Sequence, residues 1–278
     1  MTQSTTSPVW LITGASSGLG LAITRSALAL GDRVIAVSRS GFPDATSEEN
    51  LLDLRVDVTD RAAVFAAVTV GVEAFGRLDV VVNNAGIMTT GFVEEFSEEQ
   101  ARAQLDTNFF GALWVSQAVM PVLRGQGSGH IVQISSIGAL GGFPSTGLYS
   151  ASKFALEGLS EALALEAGTF GVKLTIVEPG GYWTDLYNRM SQADPNPAYD
   201  DLRAELEKQF AEGSIDSDPA LAAEAIVKLV DSDDPPLRLL LGSMVYDLAF
   251  DLSQQKLETW AAWEDVSRAA EHAIPEPR

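Results

Sequence analysis

Thr13-Gly14-Ala15-Ser16-Ser17-Gly18-Leu19-Gly20 follows directly on the apolar run Val9–Ile12, and the reading of that junction decides the fold. The run has the composition of a buried strand, and the residues from Gly20 to Leu30 have helical character. Glycines let the backbone turn sharply and approach a ligand closely. The helix start near Gly18 offers unpaired N–H groups and the positive end of its dipole. A glycine cluster alone is equally what a tight structural turn requires. Strand, glycine turn and helix in that order are the context of a dinucleotide pyrophosphate site. Gly14, Ser16, Ser17, Gly18, Leu19 and Gly20 are then its expected contacts.

The same alternation spreads outward along the chain. Apolar, β-branched runs recur at Val34–Val37, Leu52–Val58, Leu78–Val82, His130–Ile134, Leu174–Val177 and Leu237–Leu241. Helical stretches lie between most of them, among them Arg61–Phe75, Gln100–Leu123 and Ser150–Ala167. Short apolar strands alternating with helices predict an α/β protein. The expected architecture is a single-domain Rossmann fold spanning 1–278, a doubly wound parallel sheet of about seven strands with helices on both faces. A substrate lid is expected at about 182–215 and a C-terminal extension at about 243–278.

Composition narrows the chemistry. With 18 Lys+Arg against 38 Asp+Glu the chain carries a formal charge of −20, which argues against a nucleic-acid partner. The 46% hydrophobic content supports a sizeable core rather than an acidic disordered chain. There is no cysteine, so thiol catalysis, disulfides and zinc thiolates are excluded. The two histidines, His130 and His272, are too far apart to suggest a metal pair, and His130 reads as structural. No metal site is expected, and any acid or base is sought elsewhere. The N-terminus has neither basic residues nor an early apolar run, so a cytoplasmic protein without membrane contact is the default.

The end of the second strand discriminates between cofactors. A carboxylate there suits the ribose 2′-hydroxyl of NAD, and its replacement by arginine suits the 2′-phosphate of NADP. The chain reads Ala36-Val37-Ser38-Arg39, so NADP(H) is expected ahead of NAD(H), on Ser38 and Arg39. Asp57 and Val58, at the end of the third strand, are expected beside the adenine. Tyr149 and Lys153 are four apart and so share one face of a helix. An ammonium beside a phenol favours the phenolate and brings tyrosine toward the range where acid–base catalysis works. Tyr149 is also the only tyrosine in the first 181 residues.

Taken together, TGASSGLG at 13–20, NNAG at 83–86, Asn108, ISS at 134–136, YSASK at 149–153 and PGGYWT at 179–184 resemble the short-chain dehydrogenase/reductase family in order and spacing. The likeness runs from about Val9 to Gly242. It implies a catalytic set of Asn108, Ser136, Tyr149 and Lys153. Ser136 would hold the substrate carbonyl against Tyr149, which donates the proton in reduction and accepts it in oxidation. Lys153 would also bind the nicotinamide ribose. Asn108 would keep its helix in shape and pass protons from Lys153 to water. Asn84, Ala85 and Gly86 would floor the cofactor site, and Pro179, Gly180, Tyr182 and Thr184 would cup the nicotinamide. The chain departs from the family at Tyr182, usually a small aliphatic residue, and in its long acidic tail.

The expected reaction is the interconversion of a ketone and a secondary alcohol. Alternatives are a cofactor-binding sensor or scaffold without turnover, and an epimerase or dehydratase acting on sugar nucleotides. Leu140, Phe143, Tyr182, Trp183, Leu186, Tyr187 and Met190 would make an apolar wall for a bulky lipophilic substrate. The stretch Phe109–Leu123 is apolar nearly all round, with Pro121 expected to kink or end it. The family commonly pairs this helix and the one after Tyr149 across a twofold axis, so a homodimer or homotetramer is expected. Of the charge of −20, −12 falls after Gly181, where nine aromatics also lie.

Overall fold

A computed structural model of the protein describes residues 7–43, 49–184, 186, 189–213 and 216–271. In chain order the elements are β1 (Val9–Thr13), α1 (Gly18–Ala29), β2 (Arg33–Ser38), β3 (Leu51–Arg55), α2 (Arg61–Phe75) and β4 (Val80–Asn83). There follow β5 (Thr89–Thr90), α3 (Glu98–Leu105), α4 (Gly111–Gln126), β6 (Gly129–Ile134), α5 (Gly147–Gly168) and β7 (Val172–Pro179). The chain continues through β8 (Ser191–Gln192), α6 (Asp200–Gly213), α7 (Pro219–Val230), β9 (Arg238–Leu241), α8 (Ser243–Ala262) and α9 (Glu264–Ala269). Seven strands pair in the order β3-β2-β1-β4-β6-β7-β9, every pairing parallel. The strand order reverses between β1 and β4, which opens a crevice at their carboxyl ends.

Period-two alternation accounts for a sheet covered on both faces. Trp10, Ile12, Val34, Ala36, Val80 and Val82 point to one core, shared with Ile23, Ala27, Ala223 and Ile226 of α1 and α7. Their neighbours Val9, Leu11, Ile35, Val37 and Val81 point to the other, shared with Val64, Val68, Val115 and Val119 of α2 and α4. Both sets are apolar because both faces are dry, and burying such side chains is worth about 1.5–3 kcal/mol each.

Several boundaries depart from expectation. The third strand ends at Arg55, so Asp57 and Val58 lie beyond it. Asp57 Oδ1 accepts from Thr59 N at 3.0 Å and Thr59 Oγ1 at 2.8 Å, curling the chain into the Asp60 cap of α2. The helix expected over Gln100–Leu123 begins earlier, at Glu98, and is divided by a π-helical turn at Asp106–Phe110. Pro121 does not end α4, which continues to Gln126. Buried Val119 and Leu123 hold that last part down, and Gln126 bonds both backbone groups of Leu78. β6 begins one residue earlier than the His130–Ile134 run, at Gly129, and His130 is buried within it. Tyr187, His272 and the end of the C-terminal extension lie outside the described residues.

The tail aromatics are on the surface. Trp183, Phe250, Trp260 and Trp263 are 73%, 61%, 66% and 61% exposed, whereas Tyr182 is packed into the α1/α7 core.

Candidate active site

The crevice between β1 and β4 opens into a cavity of about 500 Å³. Its floor is built by Thr13, whose hydroxyl accepts from Asn84 N and Ala85 N, both at 3.0 Å. Asn84 Nδ2 reaches back to Thr13 O at 2.9 Å. Gly14 has φ +67°, and a Cβ there would stand 2.8 Å from Asn84 Nδ2, so glycine is required twice over. Gly14, Ser16, Ser17, Gly18, Leu19, Asn84, Ala85 and Gly86 all line the cavity. Gly20 does not. It sits behind the wall against Gly14 O and Asn84, where any side chain would push the floor apart.

At the end of β2, Ser38 and Arg39 line the same cavity, with Asp57 and Val58 across from them. Ser38 is buried and its hydroxyl accepts from Gly41 N at 3.0 Å, while Arg39 is exposed at the rim. Pro179, Gly180, Tyr182 and Thr184 line the opposite end. Sequence reasoning missed one cation here. Arg189 also lines the cavity, with Nη1 3.5 Å from Ser17 Oγ. Its composition offered only a base in the lid, and nothing local tells that it returns to the glycine turn.

A dinucleotide fits these residues. Side chains are missing where the backbone must come close, at Gly14 and Gly18. Ser17 stands at the N-cap of α1 without making a capping bond, so its hydroxyl hydrogen and the first helical N–H groups remain for a phosphate. Arg39 and Arg189 bring positive charge to a chain that is otherwise strongly acidic.

Ser136, Tyr149 and Lys153 line the inner end. Ser136 caps a short 3₁₀ turn and its Oγ accepts from Gly138 N at 3.1 Å, leaving its own hydrogen to donate. A Cβ on Gly138 would lie 3.3 Å from the Tyr149 ring and 3.5 Å from Ser136 Oγ, so the two side chains flank one point. Lys153 is one turn further along α5, with Nζ 5.7 Å from the centre of the Tyr149 ring. Its ammonium donates to Ile134 O at 2.8 Å. Burial pushes Lys153 down to about 8, and the neighbouring Glu157 carboxylate opposes that shift.

Asn108 does not reach the cavity wall. It lies in the π-helical turn, donating from Nδ2 to Ile87 O and Ser152 Oγ at 3.0 Å and accepting from Ile87 N at 2.9 Å. Both amide hydrogens are therefore used in holding the loop after Gly86 against α5.

The apolar wall is smaller than its composition suggested. Tyr182 and Leu186 face the cavity, whereas Trp183 is exposed. Leu140 turns toward α8, where its carbonyl accepts from Lys256 Nζ at 3.0 Å. Among the described residues no group of three or more His, Asp or Glu is placed to hold a metal ion. No described helix is long and apolar enough to cross a membrane.

The family model for short chain dehydrogenases matches residues 8–195. An oxidoreductase named BOA17 from Botryotinia fuckeliana is 38% identical over 94% of this chain and 98% of its own. A 3-ketodihydrosphingosine reductase from Bacteroides thetaiotaomicron is 40% identical over 84% of this chain and 88% of its own. The crystal structure of a short-chain dehydrogenase from Streptomyces avermitilis superposes with a TM-score of 0.87 at 36% identity, covering 97% of this chain and 100% of that one.

Proposed function

The chain belongs to the short-chain dehydrogenase/reductase family of oxidoreductases, and from that premise we propose that it interconverts a ketone and a secondary alcohol with NADP(H). The observation that carries the reading is the pairing of Ser136 and Tyr149 about Gly138, at the inner end of a cavity that begins at the glycine turn. The nicotinamide, when bound, supplies or takes up the hydride. The chain's own residues do the rest. Ser136, its hydroxyl hydrogen left over by the Gly138 contact, donates to the carbonyl oxygen and orients it. Tyr149 gives its phenolic proton to the same oxygen as it becomes an alkoxide, and takes it back in oxidation. Lys153 supports the phenolate left behind.

In this reading Asn108 fastens the Ile87 loop to α5 and so keeps the cavity floor in register with Tyr149. The preference for NADP(H) over NAD(H) is supported by Arg39 at the cavity rim and the absence of a carboxylate at the end of β2. A lipophilic ketone is supported by Tyr182 and Leu186 at the cavity, and by a relative that is by name a reductase of 3-ketodihydrosphingosine. The proposed assembly is a homodimer or homotetramer through α4 and α5, of which α5 exposes Phe154 and Leu165.

A panel of small and bulky ketones, followed by NADPH absorbance with NADH as control, tests the reading. Turnover of at least one bulky ketone with NADPH is expected. Tyr149→Phe should abolish it while fluorescence titration still reports NADPH binding. Retained turnover in that variant would overturn the acid–base assignment.

A further inference from the structure

Three residues that the proposed reaction does not use each adjoin one that it does. Ser135 precedes Ser136, Glu157 lies one helical turn beyond Lys153, and Glu178 precedes Pro179. From Ser135, at the cavity wall, inward these three are joined. Ser135 Oγ donates to Glu157 Oε1 at 2.5 Å. Arg238 reaches in from the edge strand β9 and donates to Glu157 Oε2 at 3.1 Å and to Glu178 Oε1 at 3.3 Å. It also donates to Glu161 Oε1 at 2.6 Å, at the surface end of the cluster. Glu157 is 7% exposed and Glu178 1%. One guanidinium thus faces two buried carboxylates and a third at the surface.

We propose that Glu157, backed by Glu178 and Arg238, is a positioning residue that sets the protonation of Lys153 and thereby the pH range over which Tyr149 transfers its proton. The proposal rests on the roles given above to Tyr149 and Lys153.

The charged groups acting on Glu157 are Lys153 and Glu161 from its own helix, Glu178 from β7 and Arg238 from β9. Arg238 cannot neutralise them all. Burial and the facing Glu157 carboxylate push Glu178 up to about 7, against the pull of Arg238. Its Oε2 is buried without a hydrogen-bond partner, which leaves that oxygen open to a proton. Near neutrality Glu178 therefore holds a proton for part of the time. As pH rises Glu178 releases it, and negative charge grows behind Glu157. Burial holds Lys153 down to about 8 even with the Glu157 carboxylate pulling the other way, so without that carboxylate it would lose its proton at lower pH. The cluster keeps the lysine charged for longer, while its bond from Ser135 fixes the backbone next to Ser136.

Glu157→Gln keeps the size and an acceptor for Ser135 but removes the charge. The alkaline limb of kcat/KM for ketone reduction should move to lower pH by about one unit. The ¹³Cε resonance of Lys153, assigned by comparison with Lys153→Met, should titrate at correspondingly lower pH. Glu157→Asp should bring both back toward wild type. Glu178→Gln, which fixes the neutral form, should shift the limb in the same direction. Because it copies the protonated native carboxyl, it tests the same coupling should Glu157→Gln fail to fold. A kcat lowered equally at every pH, with an unmoved limb and lysine titration, would overturn the proposal. Turnover retained in Tyr149→Phe would instead remove the reading on which it rests, so the two failures are distinguishable.

Discussion

The Lys153 ammonium donates a 2.8 Å hydrogen bond to the carbonyl oxygen of Ile134, the last residue of β6 and two positions before Ser136. One contact therefore ties the cation on α5 to the strand end from which the substrate-holding serine projects. Lys153→Met keeps the length of the side chain and removes both the charge and this bond. Turnover should fall by roughly 10²–10⁴-fold, the usual worth of a proton-transfer group. The methionine chain refills the volume, but Ile134 O and the buried Glu157 carboxylate lose a partner, which costs fold stability as well. The melting temperature should therefore fall by several degrees while the variant still folds, measured beside steady-state rates on the folded enzyme. A comparable collapse of both would indicate that Lys153 serves the fold and not the reaction.

Arg39 reaches the cavity rim from the end of β2, with Ser38 buried behind it. A guanidinium there gains a charge-assisted pair with a 2′-phosphate, and a carboxylate would repel it. Arg39→Asp should weaken NADPH binding by at least about tenfold, equivalent to about 1.4 kcal/mol. NADH affinity should stay level or improve. Fluorescence titration with both dinucleotides gives the ratio, and an unchanged ratio would refute the contact.

The strands and the glycine turn were legible because their signals are local. β-Branched residues in short runs make strands on a sheet buried on both faces, and the i, i+4 spacing of Tyr149 and Lys153 survives wherever α5 forms. What was not legible depends on distant partners. The π-helical turn at Asp106–Phe110 accompanies the bonds of Asn108 to Ile87 and Ser152, which no property of residues 100–123 announces. Arg189 meets Ser17 across 172 positions of chain. The aromatics of α8 have the composition of a core yet lie on the surface, because the sheet ends at β9 and leaves α8 with only Val245 buried.

Glu95 fastens the segment after β8 to the loop before α3. It accepts from Asn196 N and Phe92 N at 2.7 Å and from Arg203 Nη2 at 2.6 Å, while Phe92 stacks on Tyr199. Burial acts to raise its carboxyl, but these donors outweigh it and hold the group below the usual range. Its contribution is therefore present above the ordinary carboxylate pKa and lost as pH falls through the lowered one. Glu95→Gln turns an amide donor toward groups that are already donors. It should lower the melting temperature and raise KM several-fold with a smaller change in kcat. An unchanged KM would mean that this clip does not bear on substrate binding.

Phe154 and Leu165 are eleven residues apart on α5, about three turns, and so fall on one exposed stripe, 44% and 79% exposed. If α5 pairs across a twofold axis, a charge in that stripe meets its own copy. Leu165→Asp should shift sedimentation from dimer or tetramer toward monomer at micromolar concentration. No shift in an oligomeric wild type would place the interface elsewhere.

His130 gives a prediction about acid stability. Its Nε2 is 3.0 Å from Thr175 Oγ1, whose single hydrogen goes to Pro236 O at 2.7 Å. The imidazole must therefore be the donor, neutral and protonated on Nε2, with Nδ1 buried and without a partner. Burial, and to a smaller degree Lys173, push it from 6.5 down to about 4. The folded state binds fewer protons than the unfolded one between those values, so stability is fully present above about 6.5 and declines as pH falls toward 4. From pH 7.5 to 5 this one group should cost about 2 kcal/mol. Glu178, raised to about 7, works in the opposite sense over the range below neutrality, so the raw profile mixes the two. Urea unfolding of wild type and His130→Gln at both pH values isolates the histidine: the variant should lose about 2 kcal/mol less on acidification. Equal losses in the two proteins would show that His130 does not titrate with unfolding.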